Sequence, residues 1–148
     1  MRTLLRSLLF CAFPIAVLAG EIVHPIAMPR AHIDGAIFTE RKPVVMMDAS
    51  ELGPFSTEDV EVFRTADGRF DAGMYRAEAN KFTVHEAYGV NEFMYFLEGG
   101  VKLTSSDGSV LVVNAGDAVV IPKEWTGIWE TEGYTKIYVI FSPDKPIE

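Results

Sequence analysis

A carboxylate at the head of an apolar run, a histidine seven residues before it and a pair of spaced tryptophans are the groups in this sequence best suited to chemistry. Glu92 opens the run Phe93-Met94-Tyr95-Phe96-Leu97. A carboxylate is costly to bury alone because it loses its hydration, so Glu92 is solvated, paired or functional. Partial burial would raise its pKa toward values useful to a general base. His85 offers an imidazole for the same work, or a nitrogen ligand beside Glu92 for a transition metal. It reads equally as a hydrogen-bonded structural histidine. Tyr88 lies between the two. Trp125 and Trp129 are spaced so that a strand would put both on one face, where they wall a pocket for a small ligand or serve as core or dimer packing. Phe82, Tyr95 and Tyr138 read as packing residues, Lys136 as a solvent-exposed strand residue, and His24 and His32 as exposed residues of an N-terminal arm.

The elements that must position these groups are strands. Short apolar runs at 60–63, 70–76, 82–85, 93–97, 110–113, 118–121, 127–131 and 136–141 are cut by turn signals, among them Asp67-Gly68 and Asp107-Gly108. No long helical stripe interrupts them, so the pattern is that of an all-β sandwich or barrel. Residues 20–59 carry Pro25, Pro29, Pro43 and Pro54 and read as an arm with one or two short strands, one at 44–47. Ser56-Thr57-Glu58-Asp59 has the look of a helix-capping box with no apolar stripe after it, which predicts a turn or one helical loop. Pro143 and Pro146 mark residues 142–148 as a tail.

The chain has 148 residues, 49% hydrophobic and 23% charged, enough for one domain with one core. Arg2 and Arg6, the apolar run 8–18 and Val17-Leu18-Ala19 together predict a signal peptide over 1–19. That run is shorter than the roughly 20 residues of a membrane span. The expectation is export to the periplasm or beyond, with no stable membrane insertion after cleavage. Cleavage after Ala19 leaves 11 basic residues against 21 acidic ones, a net charge of −10. So acidic a chain repels nucleic acid and anionic membranes and better suits a small-molecule partner. Cys11 leaves with the signal, so the mature chain forms no disulfide.

Several motifs carry a resemblance. Glu92 precedes Glu98-Gly99, Asp107-Gly108 closes a hairpin, Gly116-Asp117 precedes Ile121-Pro122, and Trp125-Thr126-Gly127-Ile128-Trp129 and Lys136-Ile137-Tyr138 follow. Over residues 60–141 this resembles a cupin, a jelly-roll barrel of two antiparallel sheets. It is most similar to the ureidoglycine aminohydrolase-type cupins, a branch that also resembles the ethanolamine-utilisation cupin proteins. In many cupins three histidines and a glutamate hold a divalent cation in the barrel mouth. The resemblance carries His85 and Glu92 onto two of those four ligand positions. Ala87 and Gly127 stand where the other two histidines would be, so a divalent metal such as Mn would find an incomplete site. The aminohydrolase has two cupin domains and a manganese site, and its activity is not carried over to this single domain.

Three functions follow as expectations. One is a binding protein that takes a small polar metabolite in the barrel mouth through His85, Glu92, Tyr88, Trp125 and Trp129, with no tight metal. Another is a hydrolase, lyase or isomerase with Glu92 or His85 as general base, with or without a divalent metal. The third is a structural or interaction module with a filled barrel. The outward side chains of Phe93, Tyr95 and Leu97, with the resemblance, predict a homodimer.

Overall fold

The structure, a computed structural model, describes residues 23–147. The expected signal peptide, 1–19, lies outside the described residues. Within them the chain is all-β, a jelly roll preceded by one helical corner. A π-helical turn, His32–Ala36, runs into α1, Ile37–Glu40. Seven strands follow: β1 (Val44–Ser50), β2 (Gly53–Arg64), β3 (Phe70–Val84), β4 (Asn91–Ser105), β5 (Val110–Asn114), β6 (Ala118–Ile121) and β7 (Gly127–Phe141). They pair antiparallel in the order β1-β2-β3-β7-β4-β5, with β6 on the free edge of β4. No helix among the described residues is long and apolar enough to cross a membrane.

Hydrogen bonding runs unbroken from one half of the jelly roll to the other because β3, β4 and β7 are each 15 residues long. The sequence shows runs at 70–76 and 82–85 as separate strands, and likewise 127–131 and 136–141. The polar stretches between them stay paired: Ala77 opposes Tyr134, Glu78 opposes Gly133 and Asn80 opposes Thr131. Long strands with a polar waist therefore read as two short ones. The expected turn at Ser56–Asp59 is likewise strand, inside β2. Its residues pair with Ala77, Arg76 and Tyr75, with Phe55 and Thr57 buried on one face of the strand and Val60 on the other. Cross-strand pairing outweighs a local capping pattern there. The expected arm thus contains β1 and the first half of β2.

Strand alternation sorts the two faces. Along β4, Glu92, Met94 and Phe96 are buried while Phe93 and Tyr95 are exposed. The interior cluster joins Met94 and Phe96 from the first half of β4 to Val101 and Leu103 from the second, together with Val113, Ile121, Trp129 and Tyr134. Residues from both halves of β4, whose register against β7 shifts between Phe96 and Lys102, meet in this one cluster and close the sheet on itself. Burying a side chain such as Phe96 contributes about 1.5–3 kcal/mol. A second cluster lies outside, where Ile37 and Phe38 of the helical corner cover Val60 and Met74 and Leu97 packs against it.

Candidate functional site

The inward face of β4 and β7 carries the site. Glu92 lies opposite Ile140, Met94 opposite Tyr138 and Phe96 opposite Lys136. All six point inward, so Lys136 must reach past Met94 to find Glu92. It does: Lys136 Nζ donates to Glu92 Oε1 at 2.6 Å and approaches Met94 Sδ at 3.1 Å. Tyr88 Oη donates to the second carboxylate oxygen, Oε2, at 2.5 Å. Both residues of the ion pair are buried, Glu92 at 3% and Lys136 at 6% exposure. The ammonium also faces the rings of Tyr75, Trp129 and Tyr134, at 5.2, 5.6 and 5.6 Å from their centroids.

Tyr88 sits in the loop between β3 and β4, and that loop is held in place. Its backbone N–H donates to the Trp125 carbonyl at 3.0 Å, and Gly89 N–H donates to the Lys123 carbonyl at 2.8 Å. Burial, followed by the charge of Glu92, holds the Tyr88 phenol well above its ordinary pKa, so it stays a proton donor. On the adjoining wall Tyr138 Oη donates to Asp59 Oδ1 at 2.9 Å. Burial raises the Asp59 carboxyl above the usual carboxylate value, against the lowering effect of the Tyr138 hydrogen bond. Burial raises Tyr138 too, with the Asp59 charge acting the same way. Between these groups is a cavity of about 250 Å³, walled by Asp59, Tyr75, Tyr88, Glu92, Trp129 and Lys136 among others. Larger depressions lie on the outer surface, and Arg76, which borders two of them, is already paired with Glu58 at 2.7 Å.

The residues singled out from the sequence divide clearly. Glu92, Tyr88 and Trp129 come together around the cavity. Trp129 is buried and stacks on Phe82, centroids 6.0 Å apart and planes 9° from parallel. Trp125 does not line the cavity. It lies ahead of β7, edge-on to Tyr88 at 6.3 Å, with Nε1 donating to Ser105 Oγ at 3.2 Å. His85 is exposed past the end of β3 and borders a different depression with Ser105 and Thr126. His24 is exposed, and His32 bonds Glu40 on the helical corner at 2.9 Å. Lys136 is the correction: expected at the surface, it is buried because Glu92 and three aromatic rings receive its charge. Its sequence signal is phase, since Lys136 alternates with Thr135 and Ile137 and so shares the face of Tyr134 and Tyr138. Asp59, Phe82 and Tyr138 also line the cavity rather than serving as packing or turn residues alone.

A metal centre of the cupin kind does not fit these residues. Both Glu92 oxygens are already engaged by Lys136 and Tyr88, and His85 faces elsewhere. Among the described residues no three His, Cys, Asp or Glu side chains gather to hold an ion. The ammonium of Lys136 provides the cation facing Glu92.

The fold is that of a cupin. The family model of the EutQ-like cupin domain matches residues 64–138, just over half of the chain, and the chain belongs to that family. Among solved structures, a protein with unknown function from Pseudomonas syringae pv. tomato aligns with TM-score 0.59 and 19% identity over 68% of this chain. This chain spans 45% of that protein's length. The ectoine synthase of P. lautus aligns with TM-score 0.50 and 15% identity, over 62% of this chain and 65% of its own. The Clostridium difficile EutQ protein aligns with TM-score 0.48 and 19% identity, over 61% and 71%. No curated protein matches the sequence. At 19% and 15% identity the first two of these speak to the fold alone.

Proposed function

We propose that this chain binds a small polar metabolite inside the barrel, with no tight metal required. The observation that carries this reading is the Tyr88–Glu92–Lys136 chain of hydrogen bonds bordering an aromatic-walled cavity. A buried ion pair is weak evidence for stability, since well-packed apolar residues of similar volume often do as well or better. A charged chain kept beside open volume is the mark of a site rather than of a filled barrel. Glu92 and Lys136 orient the ligand, Tyr88 fixes the carboxylate, and Trp129 walls the space.

Catalysis is the second reading, as a hydrolase, lyase or isomerase. It is favoured by Glu92 lining the cavity, where a substrate that displaces Tyr88 or Lys136 from the carboxylate would meet it as general base. The ureidoglycine aminohydrolase activity is no part of either reading. The N-terminal pattern supports export to the periplasm or beyond, and the outer apolar face supports a homodimer.

The test is a metabolite screen on protein recovered from the exported fraction, following thermal unfolding with and without added manganese, iron, nickel and zinc. Polar metabolites are expected to raise the melting temperature of the wild type and not of Lys136→Met, with metals making no difference. Metal-dependent stabilisation surviving in Lys136→Met would defeat the metal-free reading. An intact mass retaining residues 1–19 would defeat export.

A further inference from the structure

The cavity has hydrogen-bond donors to spare, and its one buried ammonium is already matched by Glu92. Trp129 is 2% exposed, and its Nε1 is buried with no hydrogen-bond partner. A buried donor left unmet costs about 1–3 kcal/mol. The Lys136 ammonium carries three protons. One goes to Glu92 and one to Met94 Sδ, a weak acceptor, and no other acceptor for it is present among the described residues. Lys136 Nζ lies 5.6 Å from the Trp129 ring centroid, and both residues line the same space.

We propose that the ligand is a small uncharged carbonyl compound, an amide, urea, aldehyde or ketone, whose oxygen accepts hydrogen bonds from Trp129 Nε1 and Lys136 Nζ. This rests on the reading of the cavity as a small-molecule site and names its ligand class. The prior engagement of Lys136 by Glu92 and of Asp59 by Tyr138 leaves no free counter-charge for an ionic ligand and so selects a neutral one. Glu92 and Lys136 cancel, the phenols of Tyr88 and Tyr138 keep their protons, and Asp59, the remaining carboxyl, is already engaged by Tyr138 Oη. A carboxylate ligand would bring a charge with no free partner among these buried side chains, and an ammonium would have to take Asp59 from Tyr138, each at a cost of several kcal/mol. The stacked rings of Phe82 and Trp129 suit a flat sp² group. The volume, about 250 Å³, lies just below the roughly 300–1,000 Å³ of pockets for drug-sized ligands, so the compound is small.

The indole N–H signals of the two tryptophans, resolved by ¹⁵N NMR, give the test. Trp125 already donates to Ser105 and serves as the internal control. Propionamide, N-methylacetamide and acetone are titrated against propionate and propylammonium on the wild-type protein. The neutral carbonyl compounds are expected to move the Trp129 signal saturably and leave Trp125 in place, with the charged isosteres at least about tenfold weaker. In Trp129→Phe, which keeps an aromatic ring against Phe82, ligand-observed saturation transfer is expected to show propionamide binding weakened at least about tenfold. If propionate binds as tightly as propionamide, or the amide binds Trp129→Phe undiminished, the carbonyl class is overturned while the cavity remains a small-molecule site. If none of the compounds moves Trp129, the carbonyl class fails and the binding reading loses its main support with it.

Discussion

Glu92 and Lys136 show how one residue decides the cost of another. Each charge alone would be expensive at this depth, and each makes the other tolerable. Glu92→Gln keeps the shape and a hydrogen-bond acceptor but strips Lys136 of its counter-charge. We expect it to destabilise the fold by about 3 kcal/mol or more, the usual range for breaking a buried pair from one side. The double variant Glu92→Gln with Lys136→Met removes the stranded ammonium and is expected to recover much of that loss. Denaturant midpoints of the wild type, the two single variants and the double variant check this as a cycle. Equal midpoints for Glu92→Gln and the wild type would mean that the pair is not closed off from water. Tyr88 adds a constraint of its own, because it stays protonated and must point its hydrogen at Glu92, which fixes the carboxylate plane.

At the scale of elements, much of the fold was legible and much of the site was not, for the same reason. Alternation along β4 identifies Glu92, Met94 and Phe96 as one face without any structure. Turn residues place the hairpins at Asp67-Gly68 and Asp107-Gly108. The lengths of β3 and β7 were hidden because their polar waists carry no apolar signal, only pairing. Lys136 was missed because a lone lysine usually lies at the surface, and only its phase with Tyr134 and Tyr138 argued otherwise. His85 looked useful from spacing, but β3 ends at Val84 and leaves it outside the inward alternation. Gly99 is where β4 passes from the half holding the site to the other half. Its φ is +64°, its register against β7 shifts there, and an added Cβ would lie 2.0 Å from the Gly133 carbonyl oxygen. Gly99→Ala is therefore expected to cost at least the roughly 1–2 kcal/mol of a left-handed non-glycine residue, and more from the contact with Gly133. Thermal unfolding measures the loss. A variant as stable as the wild type would show that β4 need not bend at Gly99.

At the scale of the whole molecule, the outer face poses the question of what covers it. A row of side chains crosses five strands: Val120, Phe93, Val139, Ala72 and Phe63, each opposite the next. None is charged, and Val120, Phe93 and Phe63 are 60%, 42% and 43% exposed. The neighbouring row, Tyr95, Ile137, Met74 and Val60, runs under the helical corner, where Met74 and Val60 are buried. Half of one continuous apolar face is thus covered by the chain itself and half is bare. Leu97, expected on the bare part, is under the corner. We propose a second copy of the chain as the occupant. The full chain carries −8, so two copies repel except where neither brings charge, and an apolar row is complementary to itself across a two-fold axis. Phe93 lies inside this row, with its side chain directed away from the cavity. Phe93→Lys should therefore abolish self-association and leave the melting temperature of the isolated protomer and ligand binding nearly unchanged. Sedimentation over a range of protein concentration reads the state, and salt gives a second criterion. Screening the −8 charge should strengthen a dimer joined through apolar surface, whereas a dimer joined by ion pairs would weaken. A wild type that sediments as a monomer at high concentration and high salt would leave the bare row without its proposed partner.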